Sequence, residues 1–485
     1  MIEHQNIEAQ TTSLCRVCKR TLPAAYVERD GEIHLEKRCP DHGAQSVRIA
    51  ADAAWWRRTL ALGARPRAPE PHTPLAAGCP MDCGPCPQHQ QSLALPILPI
   101  TASCNLDCPI CYVHNKNEGA FHMPLADFAS VLRHVRERRG GHIDLLNLTG
   151  GEPMLHPRFL ELLELAVSEG VRRVTVCSNG LKLRDEGLVR RLAALGARIA
   201  LSFDTFDAKT DEAMQGVSLL PAKMRALDLL EAHGVDTTLI PVMTRGYNTH
   251  EIGAILDMAI KRTNIRHVEV HTITYTGQGG VHFDRSGRTN MLEVLRDIEA
   301  QTGWIGVADF VPSANAHPLC YQVAYLLLDP AGGPPVPFTR FLDPQVLYES
   351  LAGNLYLEPS PRLEAALRDA IDRLWLEDDA ESARILAALK ELLRAVFPPG
   401  GLDALASMRA AERHIKAIYV HSHMDEENFD TERLAACCDA NCYPDGSTIP
   451  VCAYNVLYRD KEANFMAEPR GWGARAGGRS DWRAP

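Results

Sequence analysis

The sequence predicts an α/β fold, in which a parallel sheet of six strands curls into a partial (β/α)6 barrel. Three observations carry that expectation. Short apolar runs alternate with helical patterns from about residue 93 to residue 303. The runs are apolar throughout rather than at every second position, as in strands buried on both faces. Each run is followed by a segment long enough for a crossover helix, and right-handed crossovers between parallel strands curl a sheet of this kind.

The elements follow in order. Residues 1–63 form a small cysteine-rich, metal-binding unit that ends in a helix around DAAWWRRTLAL, and 64–92 is a proline-rich linker carrying further cysteines. The barrel occupies 93–303. Its strands are LALPILPI (93–100), HIDLLNL (142–148), VRRVTVC (171–177), ARIALSF (197–203), VDTTLIPV (235–242) and RHVEVHTI (266–273). Helices are expected at about 125–139, 157–169, 184–195, 221–233, 249–262 and 289–301. Beyond 303 the rhythm fades, and 304–470 reads as a helical region with helices at 362–376, 380–396 and 402–415. A strand, AIYVHSH, then leads to a last group of cysteines, and PDG at 444–446 predicts a hairpin turn. Residues 471–485, rich in Gly and Arg, read as a disordered tail.

Composition narrows the function classes. The chain has 485 residues, 46% of them hydrophobic, and a formal net charge of −10. Its acidity argues against a nucleic-acid partner, which calls for a basic patch. There is no basic segment leading into an apolar one at the start, and no run of 18 apolar residues, so neither a signal peptide nor a transmembrane segment is expected and the location is read as cytoplasmic. The 15 cysteines are an odd number and fall into clusters, which in a reducing compartment points to metal ligands rather than disulfides.

Cys104, Cys108 and Cys111 follow the first barrel strand directly, in ITASCNLDCPICY. Three thiolates on one tight loop can hold three irons of a [4Fe–4S] cluster and leave the fourth open. Zinc is the alternative. It prefers a closed set of four ligands, and within short range only His114 follows. One βα unit later comes LTGGEP, with Gly150, Gly151, Glu152 and Pro153 at the end of the second strand. Paired glycines let a backbone come close to a ligand. Cys79, Cys83 and Cys86 repeat the spacing but follow the proline-rich segment and lack a glycine motif one unit on; they read as ligands of an auxiliary cluster. Cys15, Cys18, Cys39 and His42 form a knuckle suited to zinc or a single iron. Cys320, Cys437, Cys438, Cys442 and Cys452, with the 79–86 triplet, supply enough thiols for two four-cysteine clusters. Cys177, inside a strand, reads as a small core residue.

The cysteine triplet, the aromatic Tyr112 after it and the GGEP segment together resemble the radical S-adenosylmethionine (SAM) superfamily. The resemblance implies a [4Fe–4S] cluster on Cys104, Cys108 and Cys111, with SAM at its open iron. It also implies SAM contacts from Tyr112, from Gly150 to Pro153, and from strand ends at Ser178, Asn179, Ser202 and Asp204; Asn248 and His271 sit near strand ends too. The pieces KRCPDHG, GCPMDCGPCPQH, HPLCY and PDGSTIPVCAYNVLYR are similar to the subfamily that contains archaeal tetraether lipid synthase and pterin-methylating radical SAM proteins. That likeness implies one or two auxiliary iron–sulfur clusters and one mononuclear iron or zinc, and accounts for every cysteine but Cys177. It implies reductive cleavage of SAM to a 5′-deoxyadenosyl radical, fed by an electron donor such as ferredoxin or flavodoxin. The substrate would be a lipid whose chains are coupled or, in the alternative, a pterin-like or other small molecule that receives a methyl or methylene group. A non-catalytic iron–sulfur electron carrier is the remaining reading of a different class.

Overall fold

The computed structural model describes residues 7–62, 67–113, 120–353, 355–377 and 379–459; the tail expected at 471–485 and His114 lie outside them. The first unit is an antiparallel sheet of β1 (Ile7–Leu14), β2 (Thr21–Arg29), β3 (Glu32–Cys39) and β4 (Gly43–Ala50), paired in sequence order. Helix α1 (Ala53–Ala61) follows, its first turn capped by the Asp52 side chain on the Trp55 amide. Trp55 and Trp56 are buried, and Trp56 lies 5.5 Å from the Tyr26 ring, centroid to centroid.

The barrel runs β5 (Leu95–Thr101), α2 (Leu125–Arg138), β6 (Leu145–Gly150), α3 (Phe159–Ser168), β7 (Arg173–Ser178), α4 (Glu186–Ala194), β8 (Arg198–Ser202), α5 (Ala208–Gln215), α6 (Leu220–Ala232), β9 (Thr237–Ile240), α7 (Ile252–Lys261), β10 (Ile265–Thr272) and α8 (Met291–Thr302). All six expected strands form, and each pairs in parallel with the next. The short α5, capped by Asp207, has no counterpart in the sequence reading.

The rest of the chain returns to this sheet. It contains β11 (Tyr321–Leu327), α9 (Pro361–Trp375), α10 (Ala380–Val396), α11 (Ala404–His414), β12 (Ile415–His421), β13 (Asp439–Cys442) and β14 (Thr448–Pro450). Strand β12 extends the sheet beyond β10 in parallel, with His421 opposite His271, while β13 pairs in parallel with β5 at the other edge. Strand β11 then lies antiparallel on β12, and β13 and β14 form the hairpin around PDG. Among the described residues the sheet is not closed by a backbone ladder. Its two ends meet through side chains: Tyr321 on β11 donates a hydrogen bond of 2.5 Å to Asp439 on β13.

Alternation along the strands sorts residues onto two faces. Leu146, Leu148, Val174, Val176, Ile199, Leu201, Val268 and Val270 are buried in the main core. The intervening Asn147, Thr149, Thr175, Cys177, Glu269 and His271 are half-buried. Cys177 therefore belongs to the inner face of the barrel, not to the core where the sequence reading put it. At the N-terminal ends of the strands a charged layer forms a floor: Arg173 pairs with Glu358 at 2.8 Å and Arg198 with Glu412 at 2.6 Å. Tyr356 stacks on His267 above them, with centroids 4.9 Å apart and planes 10° apart.

One buried cation ties the C-terminal region to the barrel. Lys416 on β12 is 4% exposed, and its ammonium donates to the carbonyls of Ala259, Ile260 and Arg262 at 2.5, 3.1 and 2.6 Å. These are carbonyls at the end of α7, where the helix dipole favours a positive charge, although burial and then Arg266 bring the ammonium down to about 7. We expect Lys416→Met to lower stability by about 3 kcal/mol, since charge-assisted bonds are lost and carbonyls are left buried; the urea midpoint of the cluster-loaded chain, measured anaerobically, checks this.

Candidate active site and metal centres

The loop carrying Cys104, Cys108 and Cys111 is fastened at both ends by backbone. Gly151 donates to the Thr101 carbonyl at 2.8 Å, and Glu152 to the Ser103 carbonyl at 2.7 Å. The approach is so close that a Cβ on Gly150 would lie 2.1 Å from the Thr101 oxygen, and one on Gly151 2.1 Å from the Ser103 oxygen. The glycines of GGEP thus make room for the cluster loop itself. Farther along, Ile110 donates to the Met214 carbonyl at 3.1 Å, and Gly279 to the Cys111 carbonyl at 2.9 Å. Burial pushes the Cys104 thiol up to about 11, with Glu152 and Cys111 adding to it. Burial raises Cys108 too, and the neighbouring Cys111 and Cys104 raise it further. Thiols so crowded and desolvated bind as thiolates where a multivalent cation offsets their charge, which suits three irons of a cluster.

The other expected SAM contacts divide into two groups. Glu152 is 1% exposed, and its carboxylate accepts from the Asn179 amide at 2.9 Å, the Ser178 hydroxyl at 3.2 Å and the Met154 amide at 3.3 Å. Burial still pushes it up to about 7, against the pull of those donors. Asp204 accepts from the Val242 amide at 2.8 Å and the Gln215 side chain at 2.6 Å. Glu152, Ser178 and Asp204 are therefore engaged in bonds that tie strand ends together. Tyr112, Asn179 and Ser202 remain partly exposed at the C-terminal ends of the strands, and Asn179 reaches the cluster loop through a 2.8 Å bond to Asn105. Pro153 is buried at the start of a short turn, and Asn248 is buried beneath it all, donating to the Asp204 and Val242 carbonyls.

In the N-terminal sheet, Cys15, Cys18, Cys39 and His42 each offer a ligand atom within 4.8 Å of the others. This is the spacing of ligands on a single ion. Burial opposes ionisation of Cys15, but the Cys18 amide and the Gln45 side chain outweigh it and bring the thiol down to about 6. The sheet docks on the loop after β12: Lys37 donates to the Glu427 carbonyl at 2.7 Å, and Ser13 to the Phe429 carbonyl at 2.5 Å.

The remaining thiols form two groups. Cys79 is pushed up to about 12 by burial and then by Cys86. Cys83 is buried in the same segment, its amide bonded to Tyr458 at 3.3 Å. Across the segment 90–95, which bonds to the Ala435 and Cys438 carbonyls, lies the second group. There Cys437 is raised by burial and by Asp439, Cys452 and Cys320, and Cys438 is raised by burial and by Asp439, Cys437 and Cys320. Arg433 donates to Cys320 at 3.6 Å, which places a cation beside this set. Cys442 points elsewhere. Burial raises it to about 12, and the other groups acting on it are the Ile97 amide and Arg138, with no thiol among them.

The structure also joins His271, expected only as a residue near a strand end, to two histidines that sequence reasoning missed, His421 and His423. His271, His421 and His423 each place a ring nitrogen within 4.8 Å of the others. Glu269 is bonded to His271 Nε2 at 3.1 Å and His421 Nδ1 at 3.2 Å. Burial opposes its ionisation, but the two imidazoles hold its carboxyl well below the usual range. Burial lowers His421, against the pull of Glu269, and lowers His423 well below the usual imidazole range. The signal in the sequence was HSH at 421–423, whose histidines are two apart and face one side.

Comparison with known proteins now adds to the geometry. Residues 98–259 match the radical SAM superfamily, and residues 7–51 match the HMPTM N-terminal zinc ribbon domain. The chain is 27% identical to 7,8-dihydro-6-hydroxymethylpterin dimethyltransferase of Methanocaldococcus jannaschii, over 96% of this chain and 97% of that one. It is 33% identical to GTP 3′,8-cyclase of Klebsiella pneumoniae (strain 342) over 33% of this chain and 48% of the relative. Among solved structures, Streptococcus suis SuiB bound to S-adenosylmethionine aligns with a TM-score of 0.35 at 19% identity, covering 44% of this chain and 45% of that one.

Two outcomes check the geometry. Gly151→Ala is expected to displace the cluster loop and lower the iron and acid-labile sulfide retained by the chain, measured after anaerobic reconstitution. Cys18→Ser with Cys39→Ser is expected to remove about one metal ion per chain and leave sulfide unchanged, as loss of two ligands from a closed four-ligand site requires; elemental analysis reads it directly.

Proposed function

This chain is a radical SAM superfamily enzyme, and on that premise we propose that it transfers a methyl or methylene unit to a pterin-like heterocycle. The polar inner face of the barrel carries this reading. Asn147, Thr149, Thr175, Glu269 and His271 face inward, above a floor of Arg173, Arg198, Glu358 and Glu412. Such a lining offers donors and acceptors to a small polar ring and little apolar surface to an alkyl chain. The relative named as a pterin dimethyltransferase supports it, because the likeness takes in nearly the full length of both chains.

Cys104, Cys108 and Cys111 hold the SAM cluster in this proposal, and Asn179, Ser202, Tyr112 and the backbone at Gly150–Gly151 hold SAM. When bound, the cluster supplies the electron that cleaves SAM to methionine and a 5′-deoxyadenosyl radical. Glu152, Ser178 and Asp204 position the strand ends that carry those contacts. Cys79, Cys83 and Cys86 belong to one auxiliary cluster, and Cys320, Cys437, Cys438 and Cys452 to a second; the buried thiols around Arg433 fit that role. The N-terminal knuckle holds the mononuclear ion. A ferredoxin- or flavodoxin-type donor delivers the electron. No helix among the described residues is long and apolar enough to cross a membrane.

The reconstituted chain, given SAM, dithionite and 7,8-dihydro-6-hydroxymethylpterin, is expected to release 5′-deoxyadenosine from one SAM, S-adenosylhomocysteine from a second that gives up its methyl group, and a pterin heavier by one or more methyl groups. Replacing Cys104, Cys108 and Cys111 with Ala should abolish both products, while Cys442→Ser should leave both. Mass spectrometry reads the outcome. Stimulation of 5′-deoxyadenosine release by a lipid extract, with none by the pterin, would instead favour coupling of lipid chains. Failure to cleave SAM with a full complement of clusters would return the chain to the electron-carrier class.

A further inference from the structure

Beyond the place of His271 in the polar lining, three histidines of the inner face form a group of their own. His271 ends β10, His421 ends β12 directly opposite it, and His423 follows two residues on. The ring centroids are 5.0 Å apart for His271 and His421, 5.3 Å for His271 and His423, and 4.0 Å for His421 and His423. One nitrogen from each lies within 4.8 Å of the others, and among the described residues only the N-terminal knuckle gathers ligand atoms at a like spacing.

The surroundings are built. Glu269 lies on the same strand as His271, two residues away, and one of its oxygens is bonded to both His271 and His421. A carboxylate that fixes the tautomer and tilt of ligand imidazoles is the usual support of a histidine metal site. Tyr321 stacks on the far side of His421 with centroids 3.7 Å apart, and its hydroxyl is tied to Asp439, so the ring is clamped between strands from both ends of the sheet. The Cys452 thiol lies 3.7 Å from His423 Nδ1.

We infer that His271, His421 and His423 bind a divalent first-row transition cation inside the barrel, with Glu269 as their positioning residue. Imidazole nitrogens suit zinc, iron, nickel and copper of this series. Three histidines leave a tetrahedral ion one open position, the arrangement of metal sites that take water or a substrate atom. An oxygen or nitrogen donor of a polar substrate would bind there, oriented within the same inner face that carries the polar lining. This binding site does not depend on the identity of the substrate, and its test is independent of turnover.

The experiment measures metals and acid-labile sulfide together on the full-length, cluster-loaded chain, prepared anaerobically and supplied with zinc alone. Metal in excess of that accounted for by sulfide is expected to be about two ions per chain, one of them in the N-terminal knuckle. His271→Gln with His421→Gln is expected to remove about one of these and leave sulfide unchanged, and Glu269→Gln to weaken zinc retention roughly 10- to 100-fold, as loss of an outer carboxylate does. Unchanged excess metal in the double variant would overturn the proposal. Loss of sulfide along with the metal would overturn it also, because the histidines would then serve an auxiliary cluster. A second measurement stands apart from any histidine variant: X-ray absorption of the zinc in a Cys18→Ser, Cys39→Ser chain. Nitrogen and oxygen scatterers at about 2.0 to 2.1 Å are expected, and a sulfur shell would refute the site.

Discussion

The contact between the end of β6 and the loop after β5 is the constraint on which the rest of the active site depends. Gly150 and Gly151 pass so near the Thr101 and Ser103 carbonyls that no side chain fits between them. Two amide bonds fix the approach, and the next residue, Glu152, extends the chain of contacts to the end of β7 through Ser178 and the Asn179 amide. A loop that is to present three thiolates to one cluster, as proposed, cannot be loose. Here its position is set by backbone, which has no rotamers to lose.

A second level of organisation comes from the C-terminal half. Its strands add to both edges of the sheet, and the two ends meet through Tyr321 and Asp439 rather than a ladder. The same return brings Cys320, Cys437, Cys438 and Cys452 to one place and seats the N-terminal sheet on the loop after β12. Lys416 shows the energetic side of this arrangement: one buried ammonium satisfies three carbonyls that α7 leaves open. The cysteine-bearing units are thus held against the barrel by contacts with its own continuation.

Much of this was legible in the residues. The six expected strands form, although their inner-face positions, such as Asn147, Thr175, Glu269 and His271, are polar and half-buried while the alternate positions fill the core. The knuckle was legible as well, since its ligands lie in short sequence pairs. What local reading missed has one cause: partners distant in the chain. Glu152 and Asp204 looked free to meet a ligand, yet each is engaged by amides and side chains from elsewhere in the barrel. Cys442 counts with its neighbours in sequence, but it packs in the main core while Cys438 packs in the second one, and no thiol is among the groups acting on it.

The sequence by itself therefore determined the α/β class, the order of the strands and the grouping of the cysteines at short spacing. Those properties reside in periodicity and short spacing, which survive in one dimension. Only the tertiary structure decided which thiols stand together, which polar groups at the strand ends are already bonded, and that His271 meets His421 and His423 across two strands separated by more than a hundred residues. Each of those facts depends on the register of parallel strands, and a shift of one residue would turn the same side chains to the opposite face.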